Sequence, residues 1–213
     1  MTHSSQPTCD LLLRSGTVVD GTGKPAFQAD VAVKAGKIAA VGNLAGAQAE
    51  RVLDCAGRCV SPGWIDFHGH ADWSVFDHPQ GLNLLIQGCT LTVAGNCGMA
   101  VAPVQGRATA LLRAGDVPEG TTAQAMARRR PSLEWSFAGL LDEVERSGLG
   151  VNYVQLAGHS AIRRCVMGED ARPAGPDEVQ QMAALLDRCL EEGAFGFSTG
   201  LVFPPGCWCE TAE

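Results

Sequence analysis

No run of about 18 apolar residues, the length needed to cross a bilayer, occurs in the chain. The N-terminus also lacks the charged-then-apolar pattern of a secretory leader, so a cytoplasmic address with no membrane partner is expected. A basic face is missing too. The formal net charge is −7, and the one basic run, Arg128 to Arg130, is short and reads as a solvated stretch before Pro131. This excludes the clustered Lys and Arg that hold nucleic-acid phosphates. There is no Gly-x-x-x-x-Gly-Lys phosphate loop and no Cys-x-x-Cys pair. Nine cysteines, an odd number at irregular spacing, give no disulfide framework and suit a reducing compartment. Most are expected to be small buried hydrophobes. Cys207 and Cys209 have the wrong spacing for a zinc knuckle.

What remains is an ordinary globular composition, 46% apolar and 18% charged over 213 residues, long enough for a sizeable core. Only the polar start, MTHSSQPT, is expected to be loose. Residues 1–62 read as a small β segment: a strand in DLLLRSGTVVD, a hairpin in DVAVKAGKIAAVG turning at Ala35-Gly36, and a strand pair in RVLDCAGRCV. After Ser61-Pro62-Gly63 the pattern changes to strands alternating with helices, the mark of βα units around a parallel sheet. WIDF, TLTVA, NYVQLA and AFGFS are the expected strands. Helices are expected in HPQGLNLLIQG, FAGLLDEVERSG and PDEVQQMAALLDRCLEEG, and a polar, Pro-rich stretch from Pro103 to Pro131 reads as an insertion. The last helix has Pro176 in its first turn, Gly193 at its stop, and a core stripe of Val179, Met182, Ala183, Leu186 and Leu190. Asp77 is expected to cap the first helix, with His78 on the surface. Four βα units fit into residues 63–213, half of an eight-stranded barrel. The fold class is therefore α/β: either a smaller open fold or a partial TIM-like (β/α) barrel, preceded by a small β-rich segment.

In such a sheet, site residues collect at the C-terminal strand ends. His68 and His70 follow the first strand, Asn96 and Cys97 the second, His159 the third, and Ser198 and Thr199 end the fourth. Two histidines at i and i+2 on extended backbone share a side about 6.5–7 Å apart and can converge on one ion. Asp66 and Asp72 flank them as candidates to orient a ring nitrogen. Cys97, between Gly95 and Gly98, can present a thiolate beside these imidazoles, a donor set that suits zinc. A Cys-His nucleophilic pair, with His159 or His68 activating Cys97, is the rival use. His159 reads equally as a pocket or a structural histidine. Arg163 and Arg164 read as an exposed helix start, with capture of a substrate carboxylate as the alternative.

DLLLRSGTVVDGTG followed by SPGWIDFHGH resembles the amidohydrolase superfamily. AGNCG and GAFGFSTGLVFPPG narrow the resemblance to the N-acyl-D-amino-acid deacylases, or D-aminoacylases, over nearly the whole chain. The resemblance implies a zinc-dependent barrel, with a small β domain built from both chain ends, that cleaves the amide of an N-acyl-D-amino acid. It makes Cys97 a zinc ligand and His68 and His70 the histidine pair of a second, weaker metal position. Two further histidines on the fifth and sixth strands and a general-base aspartate on the eighth are implied outside this chain. The chain thus resembles an N-terminal portion, truncated and incomplete for catalysis by itself. Phe203 stands where the family often has Tyr, and Cys207 and Cys209 replace residues that are usually not cysteine.

Hydantoinases and dihydroorotases bridge two metals with a carbamylated lysine after the fourth strand. The three lysines here, Lys24, Lys34 and Lys37, all precede the barrel. That favours the cysteine-type site over a cyclic-amide hydrolase, which stays open as an alternative beside a non-catalytic metal-binding or assembly protein. A small-molecule substrate is the expected partner.

Overall fold

The computed structural model describes residues 8–109 and 134–213. Arg128–Arg130, most of the expected Pro103–Pro131 insertion and all but the last residue of MTHSSQPT lie outside them. Two compact units are present, Met1–Pro62 and Gly63–Glu213.

In the first unit, β1 (Thr8–Val18), β2 (Phe27–Lys34), β3 (Lys37–Gly42), β4 (Gln48–Asp54) and β5 (Cys59–Val60) form one sheet of order β3-β2-β1-β4, with β5 also on β1. The hairpin turns at Ala35 and Gly36, both left-handed with φ of 49° and 71°, the backbone that a two-residue hairpin loop requires. RVLDCAGRCV does not form a strand pair with itself. β4 and β5 both run parallel to β1, one after the other along the same edge. The eleven residues of β1 are long enough to hold both. Cys9, Leu12, Ala32, Leu44 and Ala47 make the core of this unit.

In the second unit, β6 (Trp64–Asp66), β7 (Cys89–Ala94), β8 (Asn152–Gly158) and β9 (Gly196–Ser198) lie side by side in chain order, all parallel. Between and around them run α1 (Leu82–Leu85), α2 (Phe137–Arg146), α3 (His159–Met167) and α4 (Pro176–Glu191). This is a partial (β/α) barrel. Phe137 and Leu140 of α2, Ile162 and Met167 of α3, and Met182 and Leu185 of α4 pack with Ala157 of β8 into one core. Full burial of each large apolar side chain contributes about 1.5–3 kcal/mol. Among the described residues no helix is long and apolar enough to cross a membrane.

Four sequence expectations shift. The helix expected over HPQGLNLLIQG shrinks to the four residues of α1, because Gly81 and Gly88 are left-handed at φ of 56° and 81° and end it on both sides. Gly81, not Asp77, is its N-cap. The α4 stripe is rotated: Met182, Leu185 and Cys189 are buried, Val179 and Leu186 flank them, and Ala183 and Leu190 are exposed. Four of the nine thiols, Cys9, Cys55, Cys165 and Cys189, are buried, fewer than most. Burial pushes the Cys165 thiol up to about 11 and the Cys189 thiol up to about 12.

The start of α4 is closed by Glu178, which accepts the Gly175 N–H at 2.8 Å and two Arg172 N–H groups at 2.6 and 2.8 Å. The Arg172 bonds first, and the Gly175 bond second, hold this carboxyl down at about 2, against 4.5 for a free one. Because the folded value is the lower, the stabilisation is present above the unfolded value and is lost as pH falls toward the folded one. Glu178→Ala is expected to lower Tm by a few degrees at neutral pH and by progressively less in acid. Thermal melts of both proteins between pH 7 and 2 check this, and melting curves that coincide at pH 7 would show that the cap contributes nothing.

Candidate metal centre

The strands deliver their polar residues to one rim. β6 ends at Asp66, and the chain then passes His68 and His70; β7 ends at Ala94 and leads to Asn96 and Cys97. Donor atoms of His68, His70 and Cys97 all lie within 4.8 Å of one another. His68 Nε2 is 3.1 Å from Cys97 Sγ, and the two imidazoles stand edge to face with centroids 5.9 Å apart. Both histidines are exposed and Cys97 is half-buried, so this donor group opens to solvent.

The turn carrying Cys97 is sharp. Gly95, Cys97 and Gly98 are all left-handed, with φ of 77°, 56° and 71°. For Cys97 this costs about 1–2 kcal/mol. A Cβ at Gly95 would lie 2.4 Å from the Leu156 carbonyl oxygen, so only glycine fits there. Asn96, 9% exposed, donates from Nδ2 to the Gly69 carbonyl at 3.1 Å and to the Val93 carbonyl at 2.9 Å. Across the turn, the Ser198 hydroxyl accepts the Gly98 N–H at 3.0 Å and donates to the Gly95 carbonyl.

The other candidates have different surroundings. Asp66 accepts the Thr92 hydroxyl at 3.3 Å. Asp72 is fully buried; its Oδ2 accepts the Val101 N–H at 3.3 Å and Gln155 Nε2–H at 3.5 Å, and its Oδ1 has no partner among the described residues. Burial pushes its carboxyl up to about 6. It is therefore engaged with the rim backbone and Gln155, where the sequence suggested a partner for a histidine ring.

His159 is buried, with Nε2 2.8 Å from Glu213 Oε1 and Nδ1 3.4 Å from the Thr199 hydroxyl. Arg163, expected at an exposed helix start, is instead fully buried and pairs with the other Glu213 oxygen and the Arg172 carbonyl. Arg164 is held by Glu169 at 2.6 Å and the Pro204 carbonyl at 3.0 Å. These engagements oppose the reading of either guanidinium as a free carboxylate holder. His159, Cys209 and Glu213 form a second grouping within 4.8 Å, beside a cavity of 770 Å³ that Phe197 and Thr199 also line. Burial, and then the Glu213 carboxylate, raise the Cys209 thiol. Within this grouping Glu213 is already paired with Arg163, so its carboxylate is engaged in an ion pair. This pairing is not legible from spacing, since Glu213 lies fifty residues from Arg163.

The chain matches no family model. It is 36% identical over 207 residues to the N-acyl-D-aspartate deacylase of Alcaligenes xylosoxydans xylosoxydans, covering 96% of this chain and 39% of that one. A structure of D-aminoacylase, described for its binuclear metal centre, superposes with a TM-score of 0.79 at 37% identity, over 96% of this chain and 41% of the other. So does the N-acyl-D-glutamate deacylase of Bordetella bronchiseptica, complexed with zinc and a phosphonate inhibitor, at 0.79 and 33% identity, over 97% and 41%. Over nearly its whole length the chain resembles the N-acyl-D-amino-acid deacylase family, within the amidohydrolase superfamily. It corresponds to the N-terminal portion and spans about two-fifths of the length of these deacylases. The rim also passes a chemical test for the metal: two imidazoles and a thiol with converging donors are the nitrogen and sulfur set that zinc prefers.

Proposed function

We propose that this chain carries part of the site of a zinc-dependent hydrolase that cleaves the amide bond of N-acyl-D-amino acids. The observation that supports the reading is the convergence of His68, His70 and Cys97 at the C-terminal rim of a deacylase-family barrel. Cys97 would be the ligand of the tighter position, and His68 and His70 would serve a second, weaker one. Bound zinc supplies a Lewis acid for the amide carbonyl and lowers the pKa of a water. The chain's own part is to hold the donors: the exposed imidazoles face solvent, and the Cys97 turn sets the thiol beside His68 Nε2. The rim between β8 and β9, with Thr199 and the cavity beside it, is the proposed place for the acyl-amino-acid body. Residues 1–62 are proposed as a part of a small β domain and residues 63–213 as the N-terminal half of the barrel. The 213 residues alone are proposed to be incomplete for turnover, the general-base aspartate and two further histidines being supplied from outside them. Nine free thiols suit a cytoplasmic setting.

The test is a chimera in which residues 1–213 replace the matching segment of the Alcaligenes N-acyl-D-aspartate deacylase. Hydrolysis of N-acetyl-D-amino acids, absent for the L forms and abolished by Cys97→Ala or a chelator, is expected. A folded, zinc-loaded chimera that hydrolyses neither enantiomer, or one indifferent to chelation, would remove the proposal.

A further inference from the structure

We infer that Asn96 and Ser198 are positioning residues that fix the Cys97 thiol against His68 and His70, without themselves touching the ion. This rests on the metal reading above. Asn96 is buried, and its one amide group spans the two halves of the centre. Its bond to the Gly69 carbonyl grips the peptide between His68 and His70, and its bond to the Val93 carbonyl grips the end of β7, four residues before Cys97. Those acceptors consume both Nδ2 protons, so the amide nitrogen has none left for a substrate.

Ser198 acts from the far side. Its single hydroxyl bridges the Gly95 carbonyl and the Gly98 N–H, the two peptides that bracket Cys97. It reaches them from one hundred residues away in sequence. The turn it closes is one that cysteine adopts only at a cost, with φ of 56° at Cys97. Such a backbone persists where its surroundings over-determine it. Gly200 completes the wall, since a Cβ there would lie 2.3 Å from the Cys97 carbonyl oxygen. The thiol direction is thus set by β9 and by an amide on its own loop.

Groups that orient a metal ligand typically change metal affinity by about 10–100-fold when removed. The test is a Co²⁺ titration of the purified chain, followed by the thiolate-to-cobalt charge-transfer absorption, for wild type, Asn96→Ala, Ser198→Ala and Ser198→Thr. The expected result is weakening by about 10–100-fold, with an altered charge-transfer band, in both alanine variants. Ser198→Thr, which keeps the hydroxyl, is expected to restore the wild-type band. A merely structural role would lower Tm and leave the band and affinity unchanged, and that result would overturn the inference. If Asn96→Ala does not fold, the Ser198 pair, differing by one hydroxyl function, decides alone. A wild-type chain giving no cobalt-thiolate band would instead overturn the metal reading itself.

Discussion

Replacing Cys97 with alanine is expected to take bound zinc from about one ion per chain to about a tenth of that or less, measured by elemental analysis of purified protein. Of the three converging donors only Cys97 can bring a negative charge, as a thiolate; the other two are neutral imidazoles. Removing it leaves His68 and His70, both exposed, to hold a strongly hydrated dication with two donors. Alanine is the informative choice because it meets the same left-handed backbone penalty at this position as cysteine does. The fold is therefore disturbed little, and the loss can be charged to sulfur. Zinc retained at full stoichiometry in the variant would place the ion elsewhere and end the case for this centre.

The second large effect concerns association. β6 and β9 are the outer strands of the parallel sheet, and neither has a second neighbour among the described residues. On and beside them Trp64, Ile65, Phe67 and Phe195 are 63%, 60%, 76% and 72% exposed. Open strand edges with large apolar side chains invite pairing with another chain. Each such side chain gains about 1.5–3 kcal/mol on burial, so several together offset an association cost of about 4–15 kcal/mol. Sedimentation of the purified chain is expected to show species of at least twice the monomer mass at micromolar concentration. Trp64→Lys combined with Phe195→Glu is expected to shift it toward monomer. A monodisperse, cooperatively melting wild-type monomer would contradict this argument.

The parts of the fold visible in the sequence are those set by short-range chemistry. Turn residues at Ala35-Gly36, Pro176 in the first turn of α4, and apolar strands alternating with helical spacing all act within a few residues of themselves. From them follow the four parallel strands, and with those strands the rim positions of His68, His70 and Cys97. What was not visible depends on distant partners. Arg163 looks like a surface residue until Glu213 meets it. Asp72 looks like a neighbour of His70 until the Val101 backbone and Gln155 enclose it. The α4 face turned because α3 and β8 chose which residues it buries, and spacing alone tolerates either setting.

The left-handed backbone at Cys97 has an evolutionary consequence. Glycine meets no penalty in that conformation, so Cys97→Gly would relieve strain in the folded chain. A cysteine codon becomes a glycine codon by a single base change. Neutral drift at this position therefore runs downhill in free energy, away from the thiol. A lineage that no longer used the sulfur would have both an easy genetic step and a thermodynamic reward for discarding it.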